Sequence, residues 1–166
     1  MSKTGIFYGS SNGTTEGIAK KIAAKLGVEQ KDIHDVASAK VNDLDEYEVL
    51  LLGSSTWGIG DLQDDWESFI KVLSSANLSG KKVALFGCGD SSSYPDSFCD
   101  AVGKIYQVVK GVSTVIGFTS TEGYSFDASE AVVDHRFVGL ILDEENERNL
   151  SEKRIEGWIA ELKTEI

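Results

Sequence analysis

A chain of 166 residues is long enough for one domain with a full core, and 41% hydrophobic residues exclude a disordered polymer. Its 27 acidic and 16 basic side chains give a formal charge of −11, which opposes binding to nucleic acid or an anionic membrane and favours basic partners. No apolar run approaches the roughly 20 residues of a membrane span, and the opening "MSKTGIFYG" lacks the apolar core of a signal peptide, so a cytoplasmic location is expected.

In chain order, "TGIFY" (Thr4–Tyr8) reads as a first strand. "TTEGIAKKIAAKL" follows with Ile18, Ala19, Ile22, Ala23 and Leu26 at helical spacing. A weak second strand surrounds Ile33 to Val36. "VLLLGSS" (Val49–Ser55) is a continuous apolar run, as a strand buried on both faces requires. "WESFIKVL" is helical, with Trp66, Phe69, Ile70 and Leu73 on one side. Val83–Gly87 is a fourth strand, Phe98–Val109 a helix, and Val112–Gly117 the start of a fifth strand. The last helix is expected over Ser151–Lys163, with Ser151 as its N-cap. This alternation predicts a parallel sheet with helices on both faces. The rhythm breaks once, at a polar stretch between Gly117 and the apolar run Phe137–Leu142. A fifth strand interrupted by an insertion of about 20 residues, near 118–137, accounts for it. That insertion serves either a function or as passive cover for the sheet edge.

Ligands of open parallel sheets sit beyond the carboxyl ends of the strands, and three loops leave those ends with unusual composition. The first follows strand one: Ser10, Ser11, Asn12, Gly13, Thr14 and Thr15 offer hydroxyls, an amide and backbone N–H groups at a helix start, where an anion is favoured. It has no Gly-Lys-Ser/Thr ending, and Gly9 to Gly13 does not match the dinucleotide Gly-x-Gly-x-x-Gly spacing. A capped polar loop without a ligand is the alternative. The second, "SSTWGIGDLQDDW", places Ser55, Thr56 and Trp57 directly after a buried strand. Trp57 serves there as a stacking surface or as a core aromatic. Gly58 and Gly60 flank Ile59, a backbone free to change peptide orientation. Asp61, Asp64, Asp65 and Glu67 then concentrate negative charge, at a site rim or simply at a solvated helix start. The third, "GCGDSSSYPDSFCD", supplies Cys88, Gly89, Asp90, the flat ring of Tyr94, Ser97 and Cys99. Together the three loops describe a seat for a flat heteroaromatic ring on a short chain ending in phosphate.

These residues closely resemble the flavodoxins of the long-chain class, essentially end to end. The resemblance rests on "FYGSSNGTT", "STWGIGDLQDDW", "LFGCGDSSSYPDSFCDA" and "STEGYSFDASEAVVDHRFVGL". It implies one flavodoxin-like α/β domain over 1–166, a three-layer sandwich around a five-stranded parallel sheet in order 2-1-3-4-5. It implies FMN as cofactor. Ser10 to Thr15 would hold the phosphate, Trp57 and Tyr94 would flank the isoalloxazine ring, and backbone near Gly58–Ile59 would face flavin N5. Backbone around Cys88–Asp90 and Ser97–Cys99 would meet the pyrimidine edge. The implied function is a low-potential, monomeric one-electron carrier, not an enzyme, cycling mainly between semiquinone and hydroquinone. Its implied partners are basic-surfaced redox enzymes such as a ferredoxin/flavodoxin–NADP reductase and low-potential oxidoreductases. An FMN-dependent quinone or nitro reductase using NAD(P)H directly, and an FMN-binding regulatory module, are the alternatives. The third loop departs from the family's Gly-Asp-Gln-x-Gly-Tyr: Ser91 and Ser93 stand where Gln and Gly are usual. The acidic run Asp143–Glu147 reads as a solvated turn, and His34 and His135 as structural or surface residues. Cys88 and Cys99 do not make a disulfide framework.

Overall fold

The computed structural model describes residues 3–166. Five strand positions form the main sheet. β1 (Thr4–Gly9) lies between β2 (Ile33–Asp35) and β3 (Val49–Trp57), and β5 (Lys82–Cys88) follows beyond β3, all parallel. The fifth position is occupied by two separate strands. β6 (Thr114–Ile116) pairs with Lys82–Ala84, and β10 (Gly139–Leu142) with Leu85–Cys88, so the two run end to end along β5. The interrupted fifth strand and the 2-1-3-4-5 order are therefore present. A short β4 (Asp61–Leu62) turns back antiparallel on the end of β3.

Alternate residues of the strands face opposite layers. Phe7, Leu50, Leu52, Val83 and Leu85 pack toward α3 (Asp64–Ser75) and α4 (Asp100–Val109). Ile6, Tyr8, Leu51, Ala84 and Phe86 pack toward α1 (Thr14–Leu26) and α5 (Arg148–Glu165). Both faces of β3 are thus covered, which is why its sequence is continuously apolar rather than alternating. The short α2 (Val41–Asp45) gives no sequence signal beyond a single apolar pair, and buries only Leu44.

Two helix starts differ from the sequence expectation. Ser151 does not cap α5. The chain turns at Asp143–Glu147, where the Glu147 N–H donates to the Asp143 carbonyl (2.7 Å), and the helix is already under way at Arg148. Ser151 lies inside it, buried, its hydroxyl without a hydrogen-bond partner among the described residues. Similarly, α4 begins at Asp100 rather than Phe98, because Cys99 takes a left-handed conformation (φ 54°) that breaks the helical path.

The insertion is a small antiparallel unit: β7 (Thr119–Ser120) and β8 (Val132–Val133) both pair with β9 (Arg136–Phe137). β8 and β9 are joined by Asp134–His135, both at positive φ (52° and 66°), as a two-residue turn matched to strand twist requires; Asp and His tolerate it better than most residues. The unit is packed, not pendant. Phe137 contacts the rings of Tyr124, Phe126 and Phe98, and a Cβ on Gly103 of α4 would stand 2.4 Å from the Glu130 backbone. Only glycine admits that approach. Elsewhere His34 is satisfied: it stacks on Phe7 and its Nε2 lies 2.7 Å from the Tyr47 hydroxyl.

Candidate functional site

A cleft of about 220 Å³ opens beyond the carboxyl ends of β1, β3 and β5. Its walls draw on all three loops singled out in the sequence: Asn12 and Thr14 from the first, Ser55 to Gly58 from the second, and Cys88 to Asp90 with Tyr94 from the third.

At one end the chain leaves β1 and turns into α1. Gly13 precedes the helix at φ 88°, and no side chain caps it. Ser10 Oγ accepts from the Gly13 N–H (3.1 Å), and Asn12 Oδ1 from the Thr14 N–H (3.1 Å), so these side chains shape the loop. Ser11 Oγ accepts from Gln63 Nε2 (3.0 Å). Gln63 is buried, and its Oε1 accepts from the Asp65 N–H at the start of α3 (3.1 Å). This residue, unremarked in the sequence, couples the first loop to the second. Its one signal was being a neutral amide at the helix start of an otherwise acidic run. Thr15 is fully buried, with its hydroxyl 3.8 Å from Cys88 Sγ, so it forms floor rather than open wall.

At the other end stand two aromatic residues. Trp57 and Tyr94 are 41% and 40% exposed, large for rings of this size, and both line the cleft. Trp57 is fixed by its Nε1, which donates to Ser55 Oγ (2.9 Å). Thr56 Oγ1 accepts from the Ala101 N–H (3.3 Å), tying the end of β3 to α4. Between β3 and β4, Gly58, Ile59 and Gly60 form a hairpin tip. Gly58 has φ 52°, a conformation costly for a β-branched residue, and Ile59 is 82% exposed. Gly60 is buried against the Asp100 carboxylate. Burial raises the Asp100 carboxyl above its ordinary value, against the pull of the Glu130 N–H that it accepts (2.8 Å). Ser97 and Cys99 lie buried behind the third loop, with the Cys99 backbone against Gly89. Both cysteines are buried free thiols. Burial pushes the Cys88 thiol up to about 12, despite the Thr15 hydroxyl, and the Cys99 thiol well above its usual value, so neither is a reactive group.

The acidic turn after β10 is only in part the solvated segment expected, with Glu145 and Asn146 exposed. Glu144 and Glu145 line the cleft, and Asp143 is almost wholly buried. The signal was available, since this turn also follows a strand's carboxyl end, but the strand's interruption obscured it. The cleft lining carries three carboxylates, Asp90, Glu144 and Glu145, and no Lys, Arg or His.

The family model described as flavodoxin matches residues 6–158. The chain is 43% identical to flavodoxin 1 of Escherichia coli (strain K12), over all of this chain and 96% of the relative. It is 44% identical to the flavodoxin of Nostoc sp. (strain PCC 7120), over 99% and 97%. Among solved structures, Fusobacterium nucleatum flavodoxin bound to flavin mononucleotide superposes with a TM-score of 0.90 at 36% identity, over 100% of this chain and 99% of that one. The chain belongs to the flavodoxin family. Members of this family are electron-transfer proteins rather than catalysts, and the α/β fold described above is theirs. Among the described residues no helix is long and apolar enough to cross a membrane.

Proposed function

We propose that this chain is a low-potential one-electron carrier that binds FMN non-covalently in the cleft and works mainly between the one-electron-reduced and fully reduced flavin. One observation carries the proposal: a single cleft joins a helix start whose N-cap is a glycine, two exposed aromatic faces and a lining that is acidic without any cation. These residues fit the cofactor. An anionic phosphate suits the N–H groups at the start of α1 and the donors of Ser10–Thr15. A flat ring would pack on the exposed faces of Trp57 and Tyr94.

Bound FMN would supply the electron chemistry, and the protein would bind and tune it. The Gly58–Ile59 peptide can present either its N–H or its carbonyl, because the change rotates ψ of Gly58 and φ of Ile59, and glycine at position 58 admits both orientations. Accepting a hydrogen bond from a protonated ring nitrogen would favour the one-electron-reduced form by about 0.5–1.5 kcal/mol. Asp90, Glu144 and Glu145 in the wall, with Asp61 and Asp65 on the adjoining hairpin and helix, oppose any further negative charge on the ring. Charges within about 10 Å are incompletely screened at ordinary salt, so they lower the potential of the second electron. A lysine in the phosphate loop would bind the anion more strongly but would work against that effect. The same carboxylates form a rim suited to weak, salt-dependent encounters with basic patches on redox enzymes, such as a ferredoxin/flavodoxin–NADP reductase, in the cytoplasm and as a monomer.

Titrating the purified protein into FMN should quench flavin fluorescence with one-to-one stoichiometry. The loaded protein should then fail to oxidise NADPH until a reductase is added. Sustained NADPH oxidation by the protein alone would instead make it a reductase.

A further inference from the structure

The third loop and the turn after β10 are joined by side chains from both. Asn146 Nδ2 carries two hydrogens and lies 2.9 Å from Asp90 Oδ1 and 2.9 Å from Asp143 Oδ1, so each carboxylate receives one. The other oxygen of Asp143 accepts from the Ser91 hydroxyl. Asp143 is 1% exposed, and its side-chain partners are neutral donors: Asn146, through side chain and backbone, and Ser91. Asp90 is in turn the hub of the segment ending at Tyr94. Its Oδ1 accepts from the N–H groups of Ser92 (3.2 Å) and Ser93 (3.1 Å), and its carbonyl from the N–H of Tyr94 (2.9 Å). Whatever fixes Asp90 therefore fixes the base of Tyr94.

We infer that Asn146 and Ser91 are positioning residues: they clamp the Tyr94 loop to the end of the fifth strand and so set the affinity of the cleft for the flavin ring. The inference rests on the FMN reading above. It gives the "GDSSSY" departure a physical role. A hydroxyl at position 91 is short enough to reach the buried Asp143 from the adjacent loop, and that carboxylate would otherwise lack a donor on one oxygen. Buried carboxylates without donors are costly, so each partner of the clamp holds the others in place.

The test compares FMN with riboflavin, which has the ring but no phosphate. Fluorescence-quenching dissociation constants are measured on the apoprotein of the wild type, Asn146→Ala, Ser91→Ala and Ser91→Thr. Hydrogen bonds to charged groups are strong enough that Asn146→Ala should weaken both flavins about tenfold, and Ser91→Ala by a smaller factor. Ser91→Thr keeps the hydroxyl and should restore binding. The ratio of FMN to riboflavin affinity should stay at its wild-type value, because the phosphate end is untouched. Far-UV circular dichroism checks that each variant folds, and if Asn146→Ala does not, the Ser91 pair decides alone. Wild-type affinities in the folded variants, a loss for FMN but not riboflavin, or no rescue by Ser91→Thr would each overturn the clamp. A wild type that binds neither flavin would instead overturn the FMN reading on which the clamp depends.

Discussion

The hairpin that carries Trp57 is paired at Thr56–Leu62 and Trp57–Asp61 and tied to α4 through Thr56 and Gly60, but its tip carries an exposed isoleucine, Ile59. The loop that carries Tyr94 is held along its length. The Pro95 carbonyl accepts from the N–H groups of Asp127 and Ala128, the Phe98 N–H donates to the Ala128 carbonyl, and the Ser129 hydroxyl donates to the Phe98 carbonyl. Asn146 closes its other end. One wall of the cleft thus ends in an exposed tip with glycine on both sides of Ile59, and the backbone of the other is bonded to the insertion. The insertion's contacts are divided: residues 126–131 meet the second wall, while the hydroxyls of Thr119 and Tyr124 donate to the Gly139 and Ile141 carbonyls and so cover the edge strand β10.

This contrast can be broken most severely at Phe98. That ring is buried against Phe126 and Phe137 and tilted toward Tyr124, linking loop to insertion. Phe98→Ala should cost about 3–5 kcal/mol in chemical unfolding and weaken flavin binding with it. A loss under ~1 kcal/mol would mean that this contact is not packed as described. Next comes Gly103→Ala, whose Cβ meets the Glu130 backbone. Pushing the insertion off α4 should cost about 1–3 kcal/mol, and amide exchange should rise in residues 126–131 while α1 stays protected.

The Gly58 tip predicts a different pattern. Gly58→Val places a β-branched residue at φ 52°, at a strain of about 1–2 kcal/mol. That strain should lower the melting temperature by about 2–8 °C, less than Phe98→Ala does. The yield of one-electron-reduced flavin in a stepwise reduction should fall. An unchanged yield would show that this peptide does not reorient.

The smallest expected effect is on acid stability. Burial alone would raise the Asp90 carboxyl, but hydrogen bonds from Asn146, Ser93 and Ser92 outweigh it and hold the group below the ordinary carboxylate range. The folded state therefore prefers the ionised form. That stabilisation is present above the unfolded value of about 3.9 and is lost as pH falls through the lower folded value. Wild type should melt above Asp90→Asn near neutrality, and the gap should narrow below about pH 4. A gap that is constant with pH would exclude the charge as its cause.

Much of this is legible in the sequence. The apolar runs fixed which strands are buried on both faces, and the break after Gly117 marked the interrupted fifth strand. All three loops were visible because glycine, hydroxyl and aromatic residues cluster where strands end. What escaped notice depends on contacts distant in sequence. Gln63 joins two loops across 52 positions, and Asn146 reaches Asp90 across 56. Glu144 and Glu145 become wall only because β10 completes the fifth strand beside β5. Ser151 carried a good local capping signal, but the closed turn at Asp143–Glu147 starts the helix earlier, and tertiary geometry overrode it.

In the proposed function an acidic cleft makes the second electron hard to add. An anaerobic potentiometric titration of the FMN-loaded protein, followed by visible absorbance, tests it most directly. Two separated one-electron steps are expected, the second well below that of free FMN and rising toward it in an Asp90→Asn/Glu144→Gln/Glu145→Gln variant and at high salt. A single two-electron wave, or a second potential unmoved by both changes, would contradict the account.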